Sequence, residues 1–310
     1  MGLAVNSAFG PGNPLEVVHS ITPLGIRFWD LTQDLPITDG LLVSLRLANS
    51  NAASVSGVLT RSGVYAFFGL PGLWMAEHPS SAGYGPPRTF RYVVTVQDLL
   101  GRFLPAVLVY TLDETGAVLV NGSPDQTPGA RIAQLFSAVT RPVPPGFGAV
   151  RADLVDESTG EPAAWAVVRI QVAGEAETWT GIADEAGRVL VVVPYPVMQV
   201  LQLGSPPGTG QGSITSQKWP LTVEIQYNPD QLTYPAASFS DVQWPWTDTP
   251  SLKDILANQQ AASIWTDAST LVTQLATNLN FGEDLVVRTT SGSPPLPGST
   301  LSISQGGSPP

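Results

Sequence analysis

The sequence contains no cysteine, which excludes a disulfide framework, a thiolate metal site and a cysteine nucleophile. Lysine is scarce, occurring only as Lys218 and Lys253. Charged residues make up 13% of the chain, about half of the ~25% usual in soluble domains. With a net charge of −11 and scattered arginines, the clustered cations that phosphate binding needs are missing, so nucleic acid is not an expected partner. The same sign disfavours an anionic membrane surface. Long hydrophobic runs are missing as well. The longest, residues 189–203, is broken by Pro194 and Pro196 and falls short of a bilayer span, so no membrane insertion is expected. The first residues have neither the basic region nor the apolar core of a signal peptide, so cytoplasmic synthesis is expected.

Catalytic equipment is equally thin. The two histidines, His19 and His78, lie far apart in the sequence, and no Gly-x-Ser-x-Gly elbow accompanies them, so no triad or paired-histidine metal site is indicated. The stretch Gly208–Gly212 has no Lys-Ser/Thr after it and is not a phosphate loop. Acids gather only around one turn, at Asp153, Asp156, Glu157 and Glu161. They have the chemistry for Ca²⁺ or for a glycosidase pair, but the spacing matches no EF-hand, and a turn already accounts for Asp156. The expectation is a non-enzymatic protein with no cofactor.

What the chain has instead is β-pattern and punctuation. Gly and Pro number 30 and 29 of 310 residues, and 43% are hydrophobic. So little charge beside so much apolar content has two readings: surface hidden against partner proteins, or sheets with neutral Ser/Thr faces. Alternation marks strands from Gly25, at 41–47, 64–68, 91–97 and 103–110, with Asp98-Leu99-Leu100-Gly101 as a hairpin turn. A Pro-rich stretch ends in Arg141-Pro142-Val143-Pro144-Pro145-Gly146 and is expected as a semi-rigid linker over 116–148. A second β block follows at 149–155, 164–172, 178–182, 188–193 and 221–227. Beyond Pro229 the pattern changes. Thr249-Pro250 resembles a helix start, with Leu252, Ile255, Leu256 and Gln259 on one face. Leu271, Leu275 and Leu279 at i, i+4, i+8 predict a second helix over 269–279. Residues 284–289 and 299–304 are expected as two strands of a hairpin.

The two β blocks repeat one another. Asp30, Asp34-Leu35-Pro36, the strand 42–47 and Gly57…Gly63 match Asp156, Gly160-Glu161-Pro162, the strand 166–172 and Gly181…Gly187. Gly63 and Gly187 are expected at φ > 0, with Thr60 or Asp184 capping the turn through its side chain. This pattern of Asp, Gly-x-Pro, strand and paired glycines resembles the transthyretin-like or carboxypeptidase-regulatory β-sandwich over residues 25–110 and 149–228. The resemblance implies a mainly β fold: a lead-in at 1–20, two tandem Ig-like antiparallel sandwiches at 21–115 and 149–229, and a C-terminal arm at 230–310. Three segments, 98–105, 137–146 and 280–289, are similar to accessory structural proteins of phage-tail-like contractile injection systems. That similarity implies a place near the baseplate or tube of such a particle, in symmetric copies and among other protein subunits.

Candidate interface residues follow from the aromatic and apolar content of the arm: Trp244, Trp246, Tyr234, Trp265, Leu252, Ile255 and Leu256. Trp29, Trp165 and Trp179 are expected in strands as core. A carbohydrate-binding or adhesion module using Trp244 and Trp246 is the alternative. Gly57, Gly63, Gly181, Gly187, Pro36 and Pro162 are expected to act structurally, in turns.

Overall fold

A computed structural model describes residues 24–50, 52–73, 88–120, 122–125, 131–196, 217–237, 248–290 and 298–305, together with the backbone of 3–4, 19–20, 291 and 296–297. The chain is mainly β and divides into two compact units. The first comprises residues 1–100, 105–135 and 233–253, and the second 101–104, 136–232 and 254–310.

In the first unit, strands β1 (Leu24–Asp30), β2 (Leu41–Leu47), β3 (Tyr65–Phe67), β4 (Thr89–Asp98), β5 (Ala106–Asp113) and β6 (Arg131–Leu135) form two sheets. One sheet runs β6-β1-β3 and ends in the short strand Val58–Leu59; the other runs β5-β4-β2 and ends in Val55–Ser56. Alternation dictates β1: Leu24, Ile26 and Phe28 are buried, while Arg27 and Trp29 are half-buried. Phe28 meets Tyr65 edge-on at 5.4 Å between ring centroids. In β4 the run from Tyr92 to Val96 is buried without alternation, because both faces of this strand are covered. Val93 and Val107 pack against Ala236, so the segment after Pro229 supplies part of that cover.

In the second unit, β7 (Phe147–Asp156), β8 (Val167–Val172), β9 (Thr178–Ile182), β10 (Arg188–Pro194), β11 (Lys218–Gln226), β12 (Ala262–Trp265), β13 (Gln274–Asn280) and β14 (Leu301–Gln305) again form two sheets. Their orders are β10-β7-β14-β12 and β9-β8-β11-β13. Residues from both sheets share one apolar core, including Val150, Leu154, Ile170, Val191, Val223, Ile264, Leu279 and Ile303.

The repeat extends to the strand pairing. β1 pairs antiparallel with β3 as β7 does with β10, and β2 pairs with β4 as β8 does with β11. The far edge of each second sheet is closed the same way, β5 on β4 and β13 on β11. Each unit also adds later chain in parallel to its first strand: β6 to β1, and both β14 and the short Leu285–Val286 to β7. The sheets are therefore mostly antiparallel with parallel pairing in each unit, where purely antiparallel sandwiches were expected.

Three local expectations are corrected. The stretch 116–148 is not a bare linker, since β6 lies within it and Val139 and Val143 pack on Ala149, Leu190 and Val192. Residues 269–279 are not helical: β13 occupies their second half. Leucines four apart lie on one face of a strand as well as of a helix, and the half-buried Leu275, half-buried Thr277 and buried Leu279 show the period of two. The helix before it, α1 (Leu252–Asn258), is the α-helix of this region. Residues 284–289 and 299–304 meet as a hairpin only at their near ends, where the Thr289 amide donates to the Thr300 carbonyl at 3.0 Å; farther out, Leu285–Val286 and β14 each pair in parallel with β7. The tight hairpin between them joins Thr290–Ser291 to Leu296–Pro297.

Candidate interaction surface

The paired glycines set the turns. Gly63 and Gly187 adopt φ of +73° and +75°, a region that side chains with a Cβ avoid. Thr60 Oγ1 accepts from the Val64 amide at 3.2 Å and donates to the Val64 carbonyl at 2.9 Å. Asp184 Oδ1 accepts from the amides of Ala186 and Arg188, both at 2.9 Å. Its second oxygen accepts from Arg188 Nε at 3.0 Å, and this bond, with the charge of Asp184, raises the Arg188 pKa. Gly57 and Gly181 sit in tight packing: a Cβ would lie 3.1 Å from the Phe67 ring at the first, and 2.8 Å from Val191 Cγ2 and 3.0 Å from the Leu190 carbonyl oxygen at the second. Gly57 separates Val55–Ser56, in one sheet, from Val58–Leu59, in the other. Pro36 pairs opposite Trp29, and Pro162 bridges Val155.

The acidic turn is occupied by its own chain. Asp156 is buried, and its Oδ1 accepts from the Ser158 amide and hydroxyl at 2.9 and 2.7 Å. Asp153 stands on β7 opposite Arg188. Among the described residues, no group of three or more His, Asp or Glu side chains is placed to hold a metal ion. No helix among them is long and apolar enough to cross a membrane.

The expected interface residues scatter. Leu252 and Ile255 are buried and Leu256 half-buried, so the apolar face of α1 is already packed. Half-buried Trp265 donates from Nε1 to Ser304 Oγ at 2.7 Å, and its carbonyl accepts from Thr289 Oγ1. Tyr234 is exposed, and partial burial followed by the charge of Asp248 raises its pKa. Trp244, Trp246, Trp74, His78 and the loop 204–212 lie outside the described residues. Trp29 is half-buried in β1, bonding Asp34 from Nε1 at 2.9 Å. Trp165 is buried in a turn at φ +63°, not in a strand.

Two features escaped the sequence reading. Tyr195, Trp219 and Phe281 come from three separate segments, and Tyr195 lies 5.0 Å from each of the other two rings. The rings are half-buried and tilted 33–58° to one another, which makes a packed cluster and not a flat stacking platform. The second feature is exposed apolar surface in the first unit. Leu99 and Leu100, in the β4–β5 turn, are 65% and 58% exposed, and Leu42 on β2 is 49% exposed. They share one end of the sheet, because Leu41 pairs with Asp98 and the Leu99 amide donates to the Gly40 carbonyl. Val58 and Leu59, on the edge of the other sheet, are also exposed. Leu42 is far in sequence from Leu99 and Leu100; register brings them to one end.

No family model matches the sequence, and no curated protein does. Among solved structures, the chain is similar to a C-terminal fragment of the pilus adhesin SpaC from Lactobacillus rhamnosus GG, at 12% identity and TM-score 0.20, covering 91% of this chain and 96% of that one. It is similar to the shaft pilin spaA of the same organism at 10% identity and TM-score 0.23, over 93% and 98% of the two chains. A Streptococcal ancillary pilin aligns at 10% identity and TM-score 0.21, over 91% and 69%. Superpositions this loose have no weight for fold or function.

Proposed function

We propose that the chain is a non-enzymatic structural subunit that works by binding other proteins and copies of itself. The observation that carries this reading is the exposed leucine group Leu42, Leu99 and Leu100 on a chain with so little charge; clustered apolar side chains left in water favour association. The matched strand pairing of the two units supports tandem transthyretin-like domains. The similarity of segments 98–105, 137–146 and 280–289 supports an accessory place, near baseplate or tube, in a phage-tail-like contractile injection system. On this reading the chain is made in the cytoplasm and acts in a particle at or outside the cell surface.

The experiment is to tag the chain, purify it natively from its source and image it by negative-stain electron microscopy. Rings or tail-like particles carrying other proteins are the expected result. A bare monomer with no partner ends the assembly reading, and glycan arrays with Trp244 and Trp246 variants then test the adhesion alternative.

A further inference from the structure

The two units differ at one equivalent place. In the first, the outer edge of β5 is met by its own chain, through bridges from Val107 to Ser251 and from Leu112 to Val118. In the second, the equivalent strand β13 closes the sheet on β11, and no strand among the described residues pairs with its other side. The alternate residues whose backbone groups are not taken by β11 present donors and acceptors there, with none of the usual guards: Gln274–Asn280 has no proline, no lysine and no charge.

Its sequence is matched to itself in reverse. About Thr277, Gln274 mirrors Asn280, Leu275 mirrors Leu279 and Ala276 mirrors Asn278. We infer that the outer edge of β13 docks a second copy of this chain, antiparallel, about a twofold axis at Thr277. In that register Gln274 faces Asn280, leucine faces leucine, threonine faces itself, and Ala276 faces Asn278. Leu275 and Leu279 both point to the core side, so the apolar row of one sheet continues into the next. On the outer side the row through Gln274 runs from Arg169 of β8 to its register neighbour Glu224, which accepts from Gln274 Nε2 at 2.5 Å. It passes to Asn280 of the second copy and ends at that copy's Lys218, the register neighbour of Asn280. Each of the two symmetric rows therefore joins the Arg169–Glu224 neighbours of one copy to Lys218 of the other through two amide side chains. This is strand addition with identical partners, which closes on itself as a dimer.

The inference rests on the assembly reading only in taking the chain to self-associate. Sedimentation of the purified full chain is expected to give a dimer. Because the sequence has no other cysteine, Thr277→Cys introduces one thiol that meets its twofold mate. Opposed residues in an antiparallel pair have Cα atoms about 4.5–5.5 Å apart, inside the ~4.4–6.8 Å a disulfide spans. Mild oxidation is expected to cross-link Thr277→Cys but not Ala276→Cys, whose mate lies diagonally and more than ~7 Å away. A276K/N278K sets like charges opposite each other and is expected to give monomers, whereas A276K/N278E sets opposite charges together and is expected to keep the dimer. Thermal melts of each variant check that it folds. A wild-type chain that stays monomeric, equal cross-linking at 276 and 277, or a dimer indifferent to A276K/N278K overturns the inference. Native particles built from a chain that is monomeric alone would remove the edge pairing and leave the assembly reading intact; a recombinant dimer without particles would do the reverse.

Discussion

Gly187 lies directly beneath the carbonyl oxygen of Leu154. A Cβ built on this glycine would fall well inside contact distance of that oxygen and 3.2 Å from the Ala163 amide nitrogen. The glycine is also at φ +75°, and its own carbonyl accepts from the Leu154 amide at 2.8 Å. None of these neighbours is a side-chain tip that can swing aside.

Gly187→Ala is therefore expected to destabilise the protein by about 3 kcal/mol or more, the left-handed penalty of ~1–2 kcal/mol plus a backbone displacement. Gly69, at φ +69° with open space around its Cβ position, is the control. Gly69→Ala should lose only the left-handed penalty of ~1–2 kcal/mol. Urea unfolding followed by tryptophan fluorescence compares the two, and equal losses would show that the carbonyl contact is unimportant.

Gln259 is buried and spans two backbone groups: its Oε1 accepts from the Asn228 amide and its Nε2 donates to the Trp165 carbonyl at 3.1 Å. The second bond holds a residue at φ +63°. Gln259→Leu keeps the volume and strands both groups, so a loss of about 2–4 kcal/mol is expected from ~1–3 kcal/mol per buried group left unpaired. Loss of less than 1 kcal/mol would mean that water takes over both bonds.

Leu279 is completely buried in the second core, and Leu275, four residues earlier, is only half-buried. Leu279→Ala should cost about 3 kcal/mol through transfer and cavity terms, and Leu275→Ala roughly half of that. Chemical denaturation of both variants tests the ranking, which reverses if the segment sits in another register.

Two groups set opposite limits on pH. Asp267 accepts from the Ser269 amide, its largest influence, and from Ser269 Oγ and the Thr270 amide, and its pKa is lowered. A lowered folded value means that its contribution is complete above the ordinary carboxylate range and disappears as pH falls through the folded pKa. Tyr110 is pushed up by burial, against Arg131, to about 12. The folded form then holds the phenol proton more tightly, so this contribution is complete below pH ~10 and is lost as pH rises toward 12. Thermal melts across pH should show Asp267→Asn flattening the acid limb and Tyr110→Phe flattening the alkaline one.

Much of the β architecture was legible. β2 coincides with the alternating run 41–47, and the β4–β5 hairpin forms around Asp98-Leu99-Leu100-Gly101. The glycine pairs, with Thr60 and Asp184, were readable because backbone φ and side-chain capping are local properties. What failed was non-local. Leu271, Leu275 and Leu279 fit both periods, and the edge of β11 decides between them. β6 is hidden in a Pro-rich neighbourhood because a parallel edge strand needs only one favourable face and a waiting partner. Leu252 and Ile255 look like an exposed apolar stripe in sequence, yet α1 turns that stripe inward. The ring cluster of Tyr195, Trp219 and Phe281 has no sequence signature, since Trp219 of β11 meets rings that stand just past the ends of β10 and β13.

The parallel strand β14 also sets an order of events during synthesis. β7 leaves the ribosome early in the making of its unit, and its pairing at Leu154, Val155 and Asp156 waits for Leu301, Ser302 and Ile303. Until then one side of the first strand of that sheet lacks a neighbour at this end, in a chain whose exposed strands carry few charges to repel one another. Closing so long a loop is slow, and the unfinished edge is open to other nascent chains. Translation rate and chaperone supply, more than final stability, are then expected to govern the yield of folded protein.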